Sequence, residues 1–211
     1  NNLGTIVNWV VTAALIILGV VAWYKFGSAT EFTLTSLIPR LSLKNTIFWS
    51  SVVFALTGIE TGPILGDEIK NARRILPRAL LLAGAIITSM YILGTLSVLL
   101  CLPSSEVSNL QGITQTFEKT GSRIGLPGLG PIAAAFIAIS FIGMISAWIT
   151  AGARLPFVAG VDHFLPSAFG RVHPKWGTPY VSILSQSVLV ALLTMLGQAG
   201  TSVKGAYDVL V

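Results

Sequence analysis

Residues 54–66 read Phe54-Ala55-Leu56-Thr57-Gly58-Ile59-Glu60-Thr61-Gly62-Pro63-Ile64-Leu65-Gly66. Glu60 is the one charge in a run that is otherwise uncharged from Asn45 to Gly66. A carboxylate at membrane depth is expensive, so it has to face a wet cavity or a partner. Gly58, Gly62 and Pro63 weaken or remove helical hydrogen bonds around it. Irregular backbone at that depth is tolerated only where it is buried in protein or lines a cavity. The combination predicts a helix broken at Thr57–Glu60, its free amides and carbonyls turned toward a solute, as in secondary transporters.

The same residues carry a competing reading. Gly58, Gly62 and Gly66 stand four apart, the spacing of small residues at a close helix–helix contact. A non-transporting helical membrane subunit would use that stripe for packing, with Glu60 paired to a buried polar group. The two readings part at one point, because a packing stripe needs a continuous helix.

The rest of the chain must position this segment. Of 211 residues, 53% are hydrophobic and 10% charged, where soluble domains carry about 25% charged. That deficit excludes a nucleic-acid arm, a disordered tail and a typical water-soluble enzyme, and points to a lipid bilayer as the chain's solvent. No charge occurs in Asn1–Tyr24, Asn45–Ile59, Ala79–Ser105, Ile124–Ala153 or Trp176–Val203. About 20 apolar residues cross the hydrocarbon layer as a helix. The chain therefore reads as an all-α polytopic membrane protein in a single transmembrane domain. Five spans are expected, at about 3–24, 47–66, 80–102, 130–155 and 179–198, with a sixth starting at 205–211. Asn1 abuts a span and Val211 falls inside one, so the chain reads as part of a longer protein.

The net charge of +5 becomes an orientation signal rather than a sign of a nucleic-acid partner. Lys70, Arg73, Arg74 and Arg78 crowd one short loop, and Arg154, Arg171 and Lys175 cluster around another. By the positive-inside rule, loops 67–78 and 156–178 are cytoplasmic and the expected location is the plasma membrane. Trp23-Tyr24 and Phe48-Trp49 fall at the opposite interface. Ser104–Gly121 has room for a short interfacial helix. Cys101 has no second cysteine to pair with and sits in an apolar run. His163 and His173 share a loop without metal-ligand spacing. No H-E-x-x-H or G-x-S-x-G occurs, so neither an enzyme nor a cofactor is expected.

Two ordered motifs carry a family resemblance. Phe54-x-x-x-Gly58-x-Glu60 is followed by Asp67-Glu68-Ile69-Lys70-Asn71-x-Arg73-Arg74-x-x-Pro77-Arg78-Ala79. Downstream stand Arg154-Leu155-x-Phe157-x-Ala159-Gly160-x-Asp162-x-x-Leu165-Pro166 and Phe169-x-Arg171-Val172-His173-Pro174-Lys175-Trp176-Gly177-Thr178-Pro179. Together they resemble helices six to eight and the following loop of the amino acid–polyamine–organocation superfamily of permeases. The chain then corresponds to helices five to nine and the start of ten in an inverted-repeat transporter fold, with helices one to four of the same protein missing. Ala72 stands where many relatives have proline.

The resemblance implies a mid-membrane site for an amino acid or related amine, worked by alternating access. Carbonyls around Phe54, Ala55 and Thr57 would receive the substrate's amino group, beside Gly58 and Ile59. Phe54 would pack on substrate or gate the outer path, and Glu60 would gate or bind a coupling proton. Trp148, deep in the fourth span and away from an interface, would wall the cavity. The resemblance leaves exchange, proton symport and sodium symport open.

Overall fold

The computed structural model describes residues 2–33, 38, 49, 52–54, 57–58, 61–64, 66, 69–108 and 111–198. Among them every regular element is helical. Ala55, Ile59 and Glu60, and the expected span start at 205–211, lie outside the described residues.

Helix α1 covers Asn2–Phe26. It has no charged residue before Lys25 and no polar face, the pattern of a helix surrounded by apolar material. Its buried residues Val11, Leu15, Leu18 and Ala22 recur at four, three and four residues, one stripe of an α-helix. The helix stops where Gly27, at φ +77°, donates its N–H to the Trp23 carbonyl at 2.9 Å. A glycine in left-handed conformation just past the last turn is a common C-terminal cap.

A short helix α2, Thr61–Ile64, precedes the long helix α3, Ala72–Cys101. Then come a 3₁₀ turn at Ser104–Glu106, helix α4 at Gly112–Arg123 and helix α5 at Leu129–Val161. The last described helix is α6, Tyr180–Gln198. Helices α1, α3 and α5 have 25, 30 and 33 residues and are long and apolar enough to cross a membrane. Two of them outrun the charge-free stretches that mark them. α3 begins at Ala72, so exposed Arg73, Arg74 and Arg78 lie on its first two turns. α5 continues through Arg154 and Pro156 to Val161.

The chain divides into two compact units, residues 1–47 with 82–144 and residues 48–81 with 145–211. In the first unit, Val11, Leu15, Leu18 and Ala22 of α1 join Cys101, Leu102, Phe117 and Ala133 in one buried cluster. Small residues bring backbones together here. A Cβ on Gly4 would fall 2.6 Å from the Gly143 Cα, and one on Gly19 would fall 2.7 Å from the Ser97 Cβ. α4 overlaps the stretch Ser104–Gly121, where a short helix is expected. Its buried Thr116, Phe117, Thr120 and Gly121 occupy one face, and Lys119 opposite holds Glu106 at 2.7 Å. That hydrogen bond, with the charge of Lys119, draws the Glu106 carboxyl below its usual range.

In the second unit the segment after α5 folds back on the helix end. Gly160 lies so close to Gly170 and Phe169 that a Cβ would clash with both. The buried Ser182 hydroxyl of α6 donates to the Phe169 carbonyl at 3.2 Å. His173 stacks on Trp176 with ring centroids 4.3 Å apart, and its backbone N–H donates to the Thr178 carbonyl at 2.8 Å.

Candidate functional site

The segment singled out by its carboxylate and glycines lies in the second unit. Val52, Val53 and Phe54 are helical, Thr57 and Gly58 form a turn, and helix resumes at Thr61. The Phe54 carbonyl explains the stop. It accepts the Thr57 backbone N–H at 3.0 Å and the Thr57 hydroxyl at 2.7 Å. An N–H three residues on, instead of four, tightens the chain into a turn and leaves the α-helical path. Both lone pairs of that oxygen are occupied.

Gly58 then takes φ +112°, a value that L side chains rarely adopt. The four-residue spacing of Gly58, Gly62 and Gly66 is therefore not one helical stripe. Gly62 and Gly66 do pack, against α3. A Cβ on Gly62 would lie 3.2 Å from the Leu80 side chain, and one on Gly66 would lie 3.6 Å from Leu76. Residue 63 falls in the single turn of α2, where a proline's missing N–H has no intrahelical partner to lose. Among the described residues, the turn lies at Thr57 and Gly58, ahead of the proline.

Trp148 of α5 covers this turn. A Cβ on Gly58 would lie 3.4 Å from Trp148 Cζ2 and 3.7 Å from Cη2. The indole remains 44% exposed and Phe54 52% exposed, so two large aromatic surfaces are open on the elements that frame the break. Of the seven residues anticipated for the site, the structure brings Phe54, Thr57, Gly58 and Trp148 into this arrangement.

One further residue escaped the sequence reading. Gln186 of α6 presses its side-chain amide against Gly152 of α5. Its Oε1 is buried without a hydrogen-bond partner, a costly state for a carbonyl oxygen. Gly152 is one turn beyond Trp148, so the two residues share a face of α5. The available signal was the polar group Ser182, Ser185, Gln186 and Ser187 inside an otherwise apolar span. Lone amides in apolar helices are also common as packing partners, and nothing in the sequence joined Gln186 to Trp148.

A profile of the family described as amino acid permease matches residues 1–211. An uncharacterized transporter of Legionella pneumophila is 29% identical over 210 residues, which is 99% of this chain and 44% of the relative. A probable agmatine/putrescine antiporter of Lactococcus lactis is 22% identical over 92% of the chain and 42% of its own length. A glutamate/gamma-aminobutyrate antiporter of Lactococcus lactis is 27% identical over 87% of the chain and 37% of its own length. The chain spans about two fifths of the length of these relatives. No solved structure matches it.

Proposed function

The chain belongs to the amino acid permease family, and on that premise we propose that it forms part of a secondary transporter for an amino acid or related amine. The observation that carries this reading is the interrupted helix at Thr57–Gly58, with Trp148 against it. A broken helix offers backbone groups to a solute at membrane depth. An aromatic face beside it suits the mixed apolar and cationic character of an amine. Family and relatives are permeases and antiporters, not enzymes.

In this proposal the substrate's ammonium is held by carbonyls beyond Phe54, in the stretch Ala55–Ile59. The Phe54 and Trp148 rings form apolar walls, and Glu60 binds a coupling proton or gates the path. Helices outside residues 1–211, those of the first inverted repeat, complete the site and receive the substrate carboxylate. Exchange is the favoured mode, since two of the relatives just described are antiporters. Residues 67–78 and 156–178 face the cytoplasm, with the protein in the plasma membrane. The lipid bilayer is a further partner.

The test is uptake by the intact protein in proteoliposomes, loaded or empty, against a panel of amino acids and polyamines with and without a pH gradient. Saturable uptake accelerated by internal substrate supports exchange. Uptake driven by the pH gradient alone supports proton symport. If no amino acid or amine moves or binds, the proposal fails.

A further inference from the structure

In the second unit, the start of α3 has one covered side and one open side. Leu76 and Leu80 meet the segment around α2: a Cβ on Gly66 would lie 3.6 Å from Leu76, and one on Gly62 would lie 3.2 Å from Leu80. Arg74 and Arg78 each stand two residues before one of those leucines. Two residues turn an α-helix by about 200°, so both arginines lie on the side away from α2.

Arg74 and Arg78 are exposed, as are Lys70 and Arg73 just before them. Four basic residues thus crowd the helix start against two carboxylates, Asp67 and Glu68, which precede it outside the described residues. Among the described residues no carboxylate pairs with any of the four.

Charge at the end of a span is ordinarily a matter of topology and of long side chains reaching water. Two features of this cluster go further. The first is apolar surface in line with the charge. Leu81 follows Arg74 and Arg78 at four and then three residues, the spacing of one helical face. It is 76% exposed and lies in the uncharged run Ala79–Cys101. The second is shape. An open cleft of about 400 Å³ is lined by Asn71, Ala72, Arg73 and Arg74, a volume in the range of small-ligand sites.

The uncharged run is long enough to cross the hydrocarbon layer. The cleft then lies at headgroup level, with Leu81 at the edge of the acyl chains. A soluble anion would use the arginines alone, and a nucleic acid has no use for Leu81. A ligand with an anionic head and an apolar tail uses both.

We propose that the start of α3 binds an anionic phospholipid. Its phosphate enters the cleft against Arg73 and Arg74, where charge-assisted hydrogen bonds are strong. Arg78 faces the same headgroup, and an acyl chain runs along Leu81. The inference rests on α3 lying in a bilayer, not on the substrate proposed above.

The experiment is native mass spectrometry of the intact protein in detergent, titrated with dioleoyl phosphatidylglycerol or with phosphatidylcholine of the same chains. Phosphatidylglycerol is expected to bind saturably and about tenfold more tightly. The double variant Arg74→Gln/Arg78→Gln is expected to lose that preference, and Leu81→Asn to bind the lipid severalfold more weakly. Arg171→Gln/Lys175→Gln, which removes the same charge elsewhere, is expected to keep it. Soluble glycerol phosphate is expected not to displace the lipid. Equal affinity for the two lipids overturns the proposal. So does a preference lost equally in both double variants, which marks general attraction to positive charge. Displacement by glycerol phosphate at concentrations matching the lipid overturns it too, since the cleft then serves a free phosphate.

Discussion

Glycine does two kinds of work in the molecule. In the first, Gly4 and Gly19 are small so that α1 can lie against Gly143 and Ser97, and a cluster of buried apolar side chains surrounds those crossings. In the second, Gly58 is needed for its φ of +112° and its neighbour Trp148 stays half-open. The second unit's buried residues, among those described, are small: Ala151, Ala153, Gly160 and Ser182. The contrast teaches that the first unit is held by close packing, while the second, close-packed at Gly152 and Gly160, also keeps an irregular backbone beside exposed aromatic surface. Packing of that kind resists any added methylene, whereas a backbone held off the helical path is a functional candidate.

Substitution at the two kinds of glycine tests this most severely. Gly58→Val forces a β-branched residue into a conformation costing about 1–3 kcal/mol, at the turn proposed to bind substrate. Transport is expected to fall by about one to two decades with the folded yield largely kept, as read by uptake against size-exclusion recovery. Gly4→Val places a methyl group inside the Gly143 backbone, and overpacking of this sort costs about 1–3 kcal/mol or more. Its expected signature is a lower Tm and poor recovery, with normal uptake per folded molecule. If the two variants exchange phenotypes, the division between the units is wrong.

Next in size is Trp148→Ala. Loss of an aromatic wall worth about 1–2 kcal/mol predicts a KM roughly tenfold higher with the maximal rate less affected, measured by counterflow. Glu60→Gln follows: transport is expected to lose its pH dependence while substrate binding persists. An unchanged pH profile removes Glu60 from the coupling role.

The smallest effect is expected at Glu106. Its carboxyl is drawn down by Lys119, so its contribution is present above the ordinary carboxylate range and fades as pH falls through its lowered value. The pair is exposed, and exposed ion pairs contribute little. Glu106→Gln should therefore barely move Tm at neutral pH, and salt should erase what difference exists.

Much of the architecture was legible in where charge is missing, because a helix in hydrocarbon has no polar alternative and its sequence must show it. The ends of α3 and α5 were not. Arg73, Arg74, Arg78 and Arg154 mark where the apolar stretch stops, but helical hydrogen bonds continue into water, so the helix outruns the signal. At the site, the break was legible from Gly58 beside a carboxylate. Its cause was not, since the two hydrogen bonds from the Thr57 N–H and hydroxyl to the Phe54 carbonyl are a matter of local geometry. Trp148 was marked by its depth and by the family resemblance. Gln186 was missed because its contact with Gly152 joins residues 34 apart in sequence, and no local pattern encodes that meeting.

The central claim is that substrate occupies the turn at Thr57–Gly58. The direct measurement is protection of Thr57→Cys from a small thiol reagent, in the intact protein lacking other cysteines, with Ser28→Cys in the first unit as control. Saturating transported substrate is expected to slow labelling at position 57 by about tenfold, half-maximally near its KM, and to leave position 28 unchanged. Equal labelling rates at position 57 with and without substrate, in a protein that still transports, would contradict the account.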